Sequence, residues 1–573
     1  MPVALGLNFH HDTSAALIVD GRLYAAEEER WSGLKHHREH GQHKAVLTAP
    51  ARSLAWCLEA AGIELGQVDA VWAAGMRPHP PGGQYLATER EELAALLPQP
   101  LGDMLRLMSH HTAHMLSGYL ISGLGHAAGL VIDAGGSPLG VDFGPGRERT
   151  TGYDLRPGHI DRVHQSIPSL SAGPLGVERV HHSLGHFYRN MAHRVIPPGD
   201  EPEGSMMALA AYGDPARYRQ LISELIHLGD DGAVRIAAPY GSADSCTPLK
   251  AGGRAWTQAG AADVPLAERA DFAAAVQEAF AAAVLHTARH LRQLTRATDL
   301  VFSGGCALNS HLNGTLAQDS GFDRLFIAPA PHDAGTAVGA ALYGWHHHLG
   351  NDPLPAPVDA GWGPVPGALS LRDIPDGWHN LGDLGDHLGP TVAGLLAGGS
   401  IIGWVQGPME FGPRALGHRS ILAHPGHAGS RDRLNTIKRR AGYRPFAPAV
   451  LDTHLRDWFT GDADPFMNRV ACIRPEQAAH VPAVVHHDGT ARVQTVAAGH
   501  AGLGRLLEEF RQQTGLPMLL NTSFNLKGTP ILRTAAQAAQ GAAGLGLDAL
   551  AVGTTLLAAD HGQHAAPARG WAA

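Results

Sequence analysis

Two imidazoles four residues apart carry the first chemical signal in this sequence. In His110-His111-Thr112-Ala113-His114, a helix would stand His110 and His114 one above the other, where both reach a single transition metal. With 37 histidines in 573 residues, chance supplies about two or three such pairs, so surface or core histidines are the plainer reading. Two carboxylates shift the balance. Asp133 closes a run of buried-strand character, and Asp333, in Pro331-His332-Asp333-Ala334-Gly335, precedes a helical stretch. Strand ends at the carboxyl edge of an α/β sheet are where ligand groups gather, although a turn residue and a helix N-cap are the bland alternatives. Two imidazoles with one or two carboxylates suit non-haem iron or zinc, which polarises a carbonyl oxygen.

A second chemistry lies downstream. Between Glu410 and Arg444 stand eight cations (Arg414, Arg419, Arg431, Arg433, Lys438, Arg439, Arg440 and Arg444) against Glu410 and Asp432. Gly, Pro and aromatic residues interrupt them, so they lack the spacing of a solvated helix face. Fixed cations on rigid turns suit phosphate, Arg as a planar fork and Lys as a point charge. Arg492 adds another cation, and Asn521-Thr522-Ser523-Phe524-Asn525 adds hydroxyl and amide groups, unless it is an ordinary turn. A third, weaker signal is Ser303-Gly304-Gly305-Cys306-Ala307-Leu308-Asn309, where Gly305 would let the backbone approach a nucleotide closely. No Walker-type P-loop and no G-x-S-x-G elbow is present.

The elements that must position these residues read as α/β. Strands are expected at Val3 to Phe9, Ser14 to Val19 and Arg22 to Ala26, with an Asp20-Gly21 turn, and buried strands at Ala128 to Ile132 and Asp299 to Phe302. Ala-rich stretches at Arg269 to Thr295 and Ala334 to His347 predict helices. From Gly350 to Gly367 the chain is rich in Pro and Gly, which predicts a linker; a helix at Thr391 to Gly398 and a strand at Ser400 to Trp404 then open a second domain.

Length and composition bound the rest. A chain of 573 residues fits two to four globular domains. A net charge of -9 argues against a general polyanion binder and disfavours a tRNA-sized partner. Only five lysines occur, which makes Lys35 and Lys438 more informative than usual. Cys57, Cys246, Cys306 and Cys472 form no CxxC pair, so a reducing compartment is expected. With no basic leader and no apolar run of about 18 residues, the expectation is a soluble cytoplasmic protein away from membranes.

At this point the sequence resembles the O-carbamoyltransferase family of nodulation and antibiotic-tailoring enzymes (NodU, CmcH and TobZ types) over nearly its whole length. The resemblance rests on Leu5-Gly6-Leu7-Asn8 with His11-Asp12, Glu28-Glu29-Arg30 with Lys35-His36, His110 to His114, Ser183 to Tyr188, Gly304 to Asn309, Asp333 to Gly335, Glu410 to Ser420, Arg444 to Pro448, Ala491 to Gln494 and Asn521 to Asn525. It implies an N-terminal ASKHA domain (actin-like, a duplicated ribonuclease-H-like fold) over residues 1–350, a linker over 351–370 and a C-terminal YrdC-like α/β domain over 371–573. It further implies that His110, His114, Asp133 and Asp333 hold Fe(II), with His11 and Lys35 as catalytic residues, His11 being the general base. Arg414, Lys438, Arg440, Arg444, Arg492, Asn521, Ser523 and Asn525 would bind carbamoyl phosphate and ATP with Mg, and Gly304, Gly305 and Asn309 would meet nucleotide. Three positions depart from the family pattern: Ser205, Ser137 and Ala441.

The implied activity is formation of carbamoyl-adenylate in the second domain and transfer of the carbamoyl group to a hydroxyl of a small secondary metabolite in the first. Two alternatives share these modules: a tRNA threonylcarbamoyl-adenosine enzyme, and an ASKHA nucleotide-binding module without transfer activity. Hydrogenase-maturation carbamoyltransferases resemble the fold but carry zinc-finger cysteines absent here.

Overall fold

The computed structural model describes residues 1–37, 47–76, 85–139, 146–173, 176–180, 182–242, 248–251, 253–500 and 502–560. The chain forms two compact units, one of Met1–Tyr24 with Lys44–Pro357 and one of Ala25–His43 with Val358–Ala573. The division after Pro357 falls within the expected linker. The stretch Ala25–His43, read from sequence with the first domain, is grouped with the second unit, and Lys35 goes with it.

In the first unit, β1 (Val3–Asn8), β2 (Ser14–Val19), β3 (Arg22–Glu27, of which Arg22–Tyr24 belong to this unit), β4 (Ala70–Gly75) and β5 (Leu105–Ser109) form a sheet in the order β3-β2-β1-β4-β5. β1 runs antiparallel to β2 and parallel to β4, which is parallel to β5. Asp20 and Gly21 both take positive φ, 49° and 73°, as a two-residue hairpin turn between right-twisted strands requires.

The same pattern then recurs. β6 (Ala127–Ile132), β7 (Thr150–Arg156), β8 (His159–Gln165), β9 (Asp299–Ser303) and β10 (Arg324–Phe326) form a sheet in the order β10-β9-β6-β7-β8. Here β6, β7 and β8 form an antiparallel meander, while β9 is parallel to both β6 and β10. Each sheet is therefore a meander of three strands with two parallel strands added beside its first, which is the duplicated ribonuclease-H-like topology of an ASKHA fold.

Two of the unit's helices, α1 (His110–Ser122) and α2 (Gly335–Tyr343), lie unusually close to their neighbours. A Cβ on Gly6 of β1 would stand 2.0 Å from the Ala337 carbonyl oxygen, and one on Gly339 would stand 1.8 Å from that of Ala113. Both positions need glycine because backbone meets backbone there. The regular part of α2 ends at Tyr343, and Gly344–His348 continues as a wider turn.

In the second unit, ten strands form one mixed sheet. They are β11 (Trp378–Asp383), β12 (Ile402–Val405), β13 (Arg419–Ala423), β14 (Ala447–Leu451), β15 (Phe459–Thr460), β16 (Arg469–Ile473), β17 (Thr490–Val496), β18 (Met518–Ser523), β19 (Ala549–Val552) and β20 (Thr555–Ala559). Their order is β11-β20-β19-β12-β13-β18-β14-β17-β16-β15. Alternation in β12 shows that both faces are covered. Ile402 and Trp404 pack in a core with Val392, Leu506 and Phe510, carried by α3 (Leu388–Ala397) and α5 (Leu503–Thr514). Val405 packs in the opposite core with Leu434 of α4 (Ala428–Ile437), Phe524 and Ala538 of α6 (Ala535–Leu545).

Two of the eight clustered cations serve this fold. Arg419, fully buried, donates to the carbonyl oxygens of Gln406, Gly407, His418, Pro364 and Arg533. Arg433 forms a two-pronged pair with Asp548 at 2.8 and 2.7 Å.

Candidate functional site

The first site is built at the carboxyl ends of β6 and β9. Ser109 caps α1 by accepting the Thr112 amide at 3.2 Å, so His110 and His114 lie one helical turn apart with their Nε2 atoms 3.0 Å from each other. Asp133 follows β6 directly. Gly304, at φ 91°, follows β9 so closely that a Cβ there would stand 2.3 Å from the Ile132 carbonyl oxygen. That approach brings the Gly305 amide 3.2 Å from Asp133 Oδ1 and leaves Oδ2 3.5 Å from His110 Nε2. Asp333 Oδ1 lies 3.6 Å from His110 Nε2 and 3.4 Å from His114 Nε2.

One ligand atom from each of His110, His114, Asp133 and Asp333 thus falls within 4.8 Å of every other. Two imidazole nitrogens with two carboxylate oxygens suit a borderline divalent cation such as iron or zinc rather than the all-oxygen preference of magnesium. The four residues fit a metal. Burial works against a charged His110, but Asp333 and then Asp133 outweigh it and raise its pKa to about 10. Burial likewise opposes ionised Asp333, and His110 and His114 overcome it and hold the carboxyl well below its usual range.

Around this group the chain supplies supports that the sequence reading missed. Ser137, one of the three departures, accepts the His110 amide at 2.8 Å. Glu148 accepts from Ser109 Oγ at 2.5 Å, the His111 amide at 3.1 Å and Arg162 at 2.8 Å. Arg149 is buried; burial and then Arg147 lower its pKa to about 10, while Asp133 draws it upward. Its Nη1 is 3.4 Å from His186 Nδ1.

His11 sits on the loop after β1, part exposed, with Nδ1 2.5 Å from Asp12 Oδ2. That contact orients the ring and leaves Nε2 as its second nitrogen. Asn8 Nδ2 donates to the carbonyls of His11 at 2.8 Å, Asp12 at 3.0 Å and Asp333 at 3.2 Å, which ties the His11 loop to a member of the metal group. Gly305 spends its amide on Asp133. Asn309 caps the helix Ser310–Asp319, accepting the Leu312 amide at 3.0 Å, and donates to Gln277 at 3.0 Å.

The second unit holds the other site. Lys438, buried at the end of α4, donates from Nζ to Ser523 O at 2.6 Å and Asn525 Oδ1 at 2.7 Å. Burial and then Arg440, Arg444 and Lys35 push its pKa well below the lysine range. Arg492 is pushed well down by burial and then by Arg414, Arg440 and Arg444. Arg440 falls to about 9 through burial and Arg444; its guanidinium lies 4.0 Å from the Phe446 ring centroid. Burial lowers Arg414 to about 10 although Asp464 opposes this, and Asp464 is itself engaged by Arg469 at 3.1 Å. Asn521 donates to Gln494 at 2.8 Å and Ala415 O at 3.1 Å. The structure therefore gathers Lys35, Arg414, Lys438, Arg440, Arg444 and Arg492 into one field of mutually repelling cations, with Ser523 and Asn525 at its edge. Such a field favours a polyanion.

Among the described residues no helix is long and apolar enough to cross a membrane, and Cys57, Cys306 and Cys472 are free thiols. The model of the carbamoyltransferase N-terminus matches residues 90–342, and that of the carbamoyltransferase C-terminus matches residues 393–559. Nodulation protein NolNO of Sinorhizobium fredii is 35% identical over 582 residues, covering 96% of this chain and 79% of the relative. The 3'-hydroxymethylcephem-O-carbamoyltransferase of Streptomyces clavuligerus is 40% identical over 239 residues, covering 41% of this chain and 44% of the relative. The solved structure of T. kodakarensis HypF is similar over 59% of this chain and 46% of its own, at 15% identity and a TM-score of 0.34. Matched at both its halves and along nearly its whole length, the chain belongs to the carbamoyltransferase family and is an enzyme of carbamoyl transfer.

Proposed function

We propose that the chain is an ATP-dependent O-carbamoyltransferase in which the second unit activates the carbamoyl group and the first delivers it to a hydroxyl of a small secondary metabolite. The observation that carries this reading is the contrast between the two sites. One is a buried set of imidazoles and carboxylates with ligand geometry, and the other is a group of cations that depress one another's pKa, a repulsion that a bound anion would ease. Carbamoyl phosphate and ATP are both polyanions, and holding them together requires fixed positive charge that offsets their repulsion and aligns the reacting atoms. Carbamoyl phosphate, ATP with its magnesium and water would yield carbamoyl-adenylate, phosphate and pyrophosphate, with Lys438, Arg440, Arg444, Arg414 and Arg492 binding the phosphates. Ser523 and Asn525 would orient Lys438, and Asn521 would brace the strand that carries Ser523.

In the first unit, His110, His114, Asp133 and Asp333 would hold Fe(II), which when bound would polarise the carbamoyl carbonyl. His11, oriented by Asp12, would take the proton from the acceptor hydroxyl. The acceptor oxygen would form its bond to the carbamoyl carbon as the bond to AMP breaks, leaving a carbamate ester and AMP.

Pyrophosphate release that depends on carbamoyl phosphate reads the first half-reaction, and carbamate ester formation reads the second. Lys438→Ala and Arg492→Ala should lose both; His114→Ala should lose only ester formation. If all three variants kept pyrophosphate release and lost transfer, the assignment of activation to the second unit would fail. A shift of tRNA mobility in low salt would instead favour the tRNA-modifying alternative, which the net charge of -9 speaks against.

A further inference from the structure

The second unit also brings together three side chains to which the proposed mechanism gives no role. Asp359 precedes the turn at Gly361, His418 precedes β13, and His500 lies just before α5. His500 Nε2 is 3.6 Å from Asp359 Oδ2, and the rings of His418 and His500 stand 5.6 Å apart at 68°. One ligand atom from each of the three falls within 4.8 Å of the other two.

Two features show that this is more than a surface cluster. His418 is 6% exposed, and its Nε2 is buried without a hydrogen-bond partner. A buried ring nitrogen without a partner is costly in a protein interior. The second feature is space. A Cβ on Gly361 would stand 3.2 Å from His418 Nε2 and 3.2 Å from Asp359 Oδ1, so glycine keeps a side chain out of the region between them. The Gly361 amide meanwhile donates to Asp359 Oδ1 at 2.8 Å, which fixes the carboxylate and leaves Oδ2 toward His500.

We propose that Asp359, His418 and His500 form a second metal site, which binds a divalent transition-metal ion of the zinc class. Two imidazoles and one carboxylate are a common ligand set for such ions, with a fourth position for water. Ligands about 2.1 Å from a tetrahedral ion lie about 3.4 Å from one another, close to the 3.6 Å between His500 Nε2 and Asp359 Oδ2. The site would clamp the segment at Asp359, the loop carrying Arg414 and the turn into α5. Its function would then be to hold the anion-binding loops rather than to touch the reacting atoms.

The test uses the full chain, stripped with a chelator and titrated with Zn2+ against a chromophoric competitor. The wild type should bind two equivalents, and His114→Ala and His418→Gln should each bind one. The double variant His114→Ala/His418→Gln should bind none. Asp359→Asn, which keeps size and shape but removes the anionic ligand, should weaken the second equivalent. Co2+ added to the His114→Ala chain should give the visible bands of a nitrogen-ligated tetrahedral ion, and His500→Gln in that background should abolish them; this spectrum serves as an independent measurement should His418→Gln fail to fold. Wild type and His418→Gln binding the same number of equivalents would overturn the proposal, as would a double variant that retains one. One equivalent in the wild type that survives His114→Ala and disappears in His418→Gln would support this site and count against the His110 and His114 group.

Discussion

Asn8, at the end of β1, donates its side-chain amide to the backbone carbonyl of Asp333, 325 residues away in sequence. The same amide holds the carbonyls of His11 and Asp12, so one buried side chain fixes the loop of the proposed base, His11, relative to Asp333 of the proposed metal group. Buried amide hydrogen bonds contribute roughly 1 kcal/mol each, and leaving their partners unmet costs about 1–3 kcal/mol. Asn8→Ala should therefore lower unfolding free energy by about 1–3 kcal/mol and depress both metal content and ester formation. Carbamoyl-phosphate-dependent pyrophosphate release should persist. Equal loss of both half-reactions would show that Asn8 supports the fold alone.

Gly339 tests whether backbone approach of α2 to α1 sets the metal geometry. A Cβ there would stand 1.8 Å from the Ala113 carbonyl oxygen, and neither backbone can yield without shifting its helix. Overpacking of this kind costs about 1–3 kcal/mol or more. Gly339→Ala should lower the denaturation midpoint and, by moving Asp333 relative to His114, reduce bound metal further than Asn8→Ala does. A stable variant with full metal content would mean that α2 and α1 can part without disturbing the ligands.

Much of this arrangement was legible in the sequence, because the strands that carry it are locally consistent. Expected strands at Ser14 to Val19 and Asp299 to Phe302 coincide with or fall one residue short of the observed ones, and the i,i+4 spacing of His110 and His114 gives a Nε2 separation of 3.0 Å. What stayed hidden depends on partners distant in sequence. Arg419 and Arg440 are the same residue type in one basic stretch, yet Arg419 is spent on five backbone carbonyls while Arg440 repels Arg444. Nothing local tells them apart. Likewise the Gly305 amide donates to Asp133, 172 residues away. Lys35 belongs with Lys438 through a grouping of Ala25–His43 that only the fold reveals.

The cation field has a consequence for pH. Lys438 has its pKa held well below the usual lysine value by burial and by Arg440, Arg444 and Lys35. A lysine whose folded pKa lies below its unfolded value, about 10.4, binds fewer protons folded than unfolded between the two. Its penalty is fully present below the depressed value and fades as pH rises toward about 10.4. The ligand-free wild type should thus be less stable than Lys438→Met near neutrality, with the gap closing as the solution is made alkaline. Urea midpoints measured across that range would show it, and a gap that stays constant would refute the assignment. Saturating ATP should stabilise the wild type more than the variant, since a ligand bound only by the folded state adds stability in proportion to its affinity.

Arg419 is predicted to be structural despite its place in the basic stretch between Glu410 and Arg444. Its guanidinium serves five carbonyls from four separate segments, between 2.9 and 3.2 Å, and Lys cannot reproduce a planar fork. Hydrogen bonds to a charged group contribute about 1.5–3 kcal/mol each when lost. Arg419→Lys should cost at least about 3 kcal/mol in unfolding free energy. At temperatures where the variant remains folded, its KM for carbamoyl phosphate should change far less than that of Arg444→Lys. A large KM effect with normal stability would move Arg419 into the anion site.

The His11 and Asp12 pair gives the sharpest test of the transfer step. Asp12 Oδ2 lies 2.5 Å from His11 Nδ1, so an ionised Asp12 favours the proton on Nδ1 and the lone pair on Nε2, the atom that in the proposed mechanism would take the acceptor's proton. Asp12 is held in place at φ 59° with its carbonyl bound by Asn8, and asparagine tolerates that left-handed backbone well. Asp12→Asn should therefore fold normally. Its amide can donate where the carboxylate accepted, which favours the tautomer with the proton on Nε2 and removes the base from the reaction. Loss of a positioned general base costs roughly 10²–10⁴-fold, and the loss should fall on kcat for ester formation while pyrophosphate release and bound metal stay at wild-type levels. His11→Ala should lower kcat by a similar factor, and the double variant should be no worse than either single one, because the two side chains act as one unit. Additive losses would separate them, and an unchanged kcat in Asp12→Asn would remove His11 from proton transfer altogether.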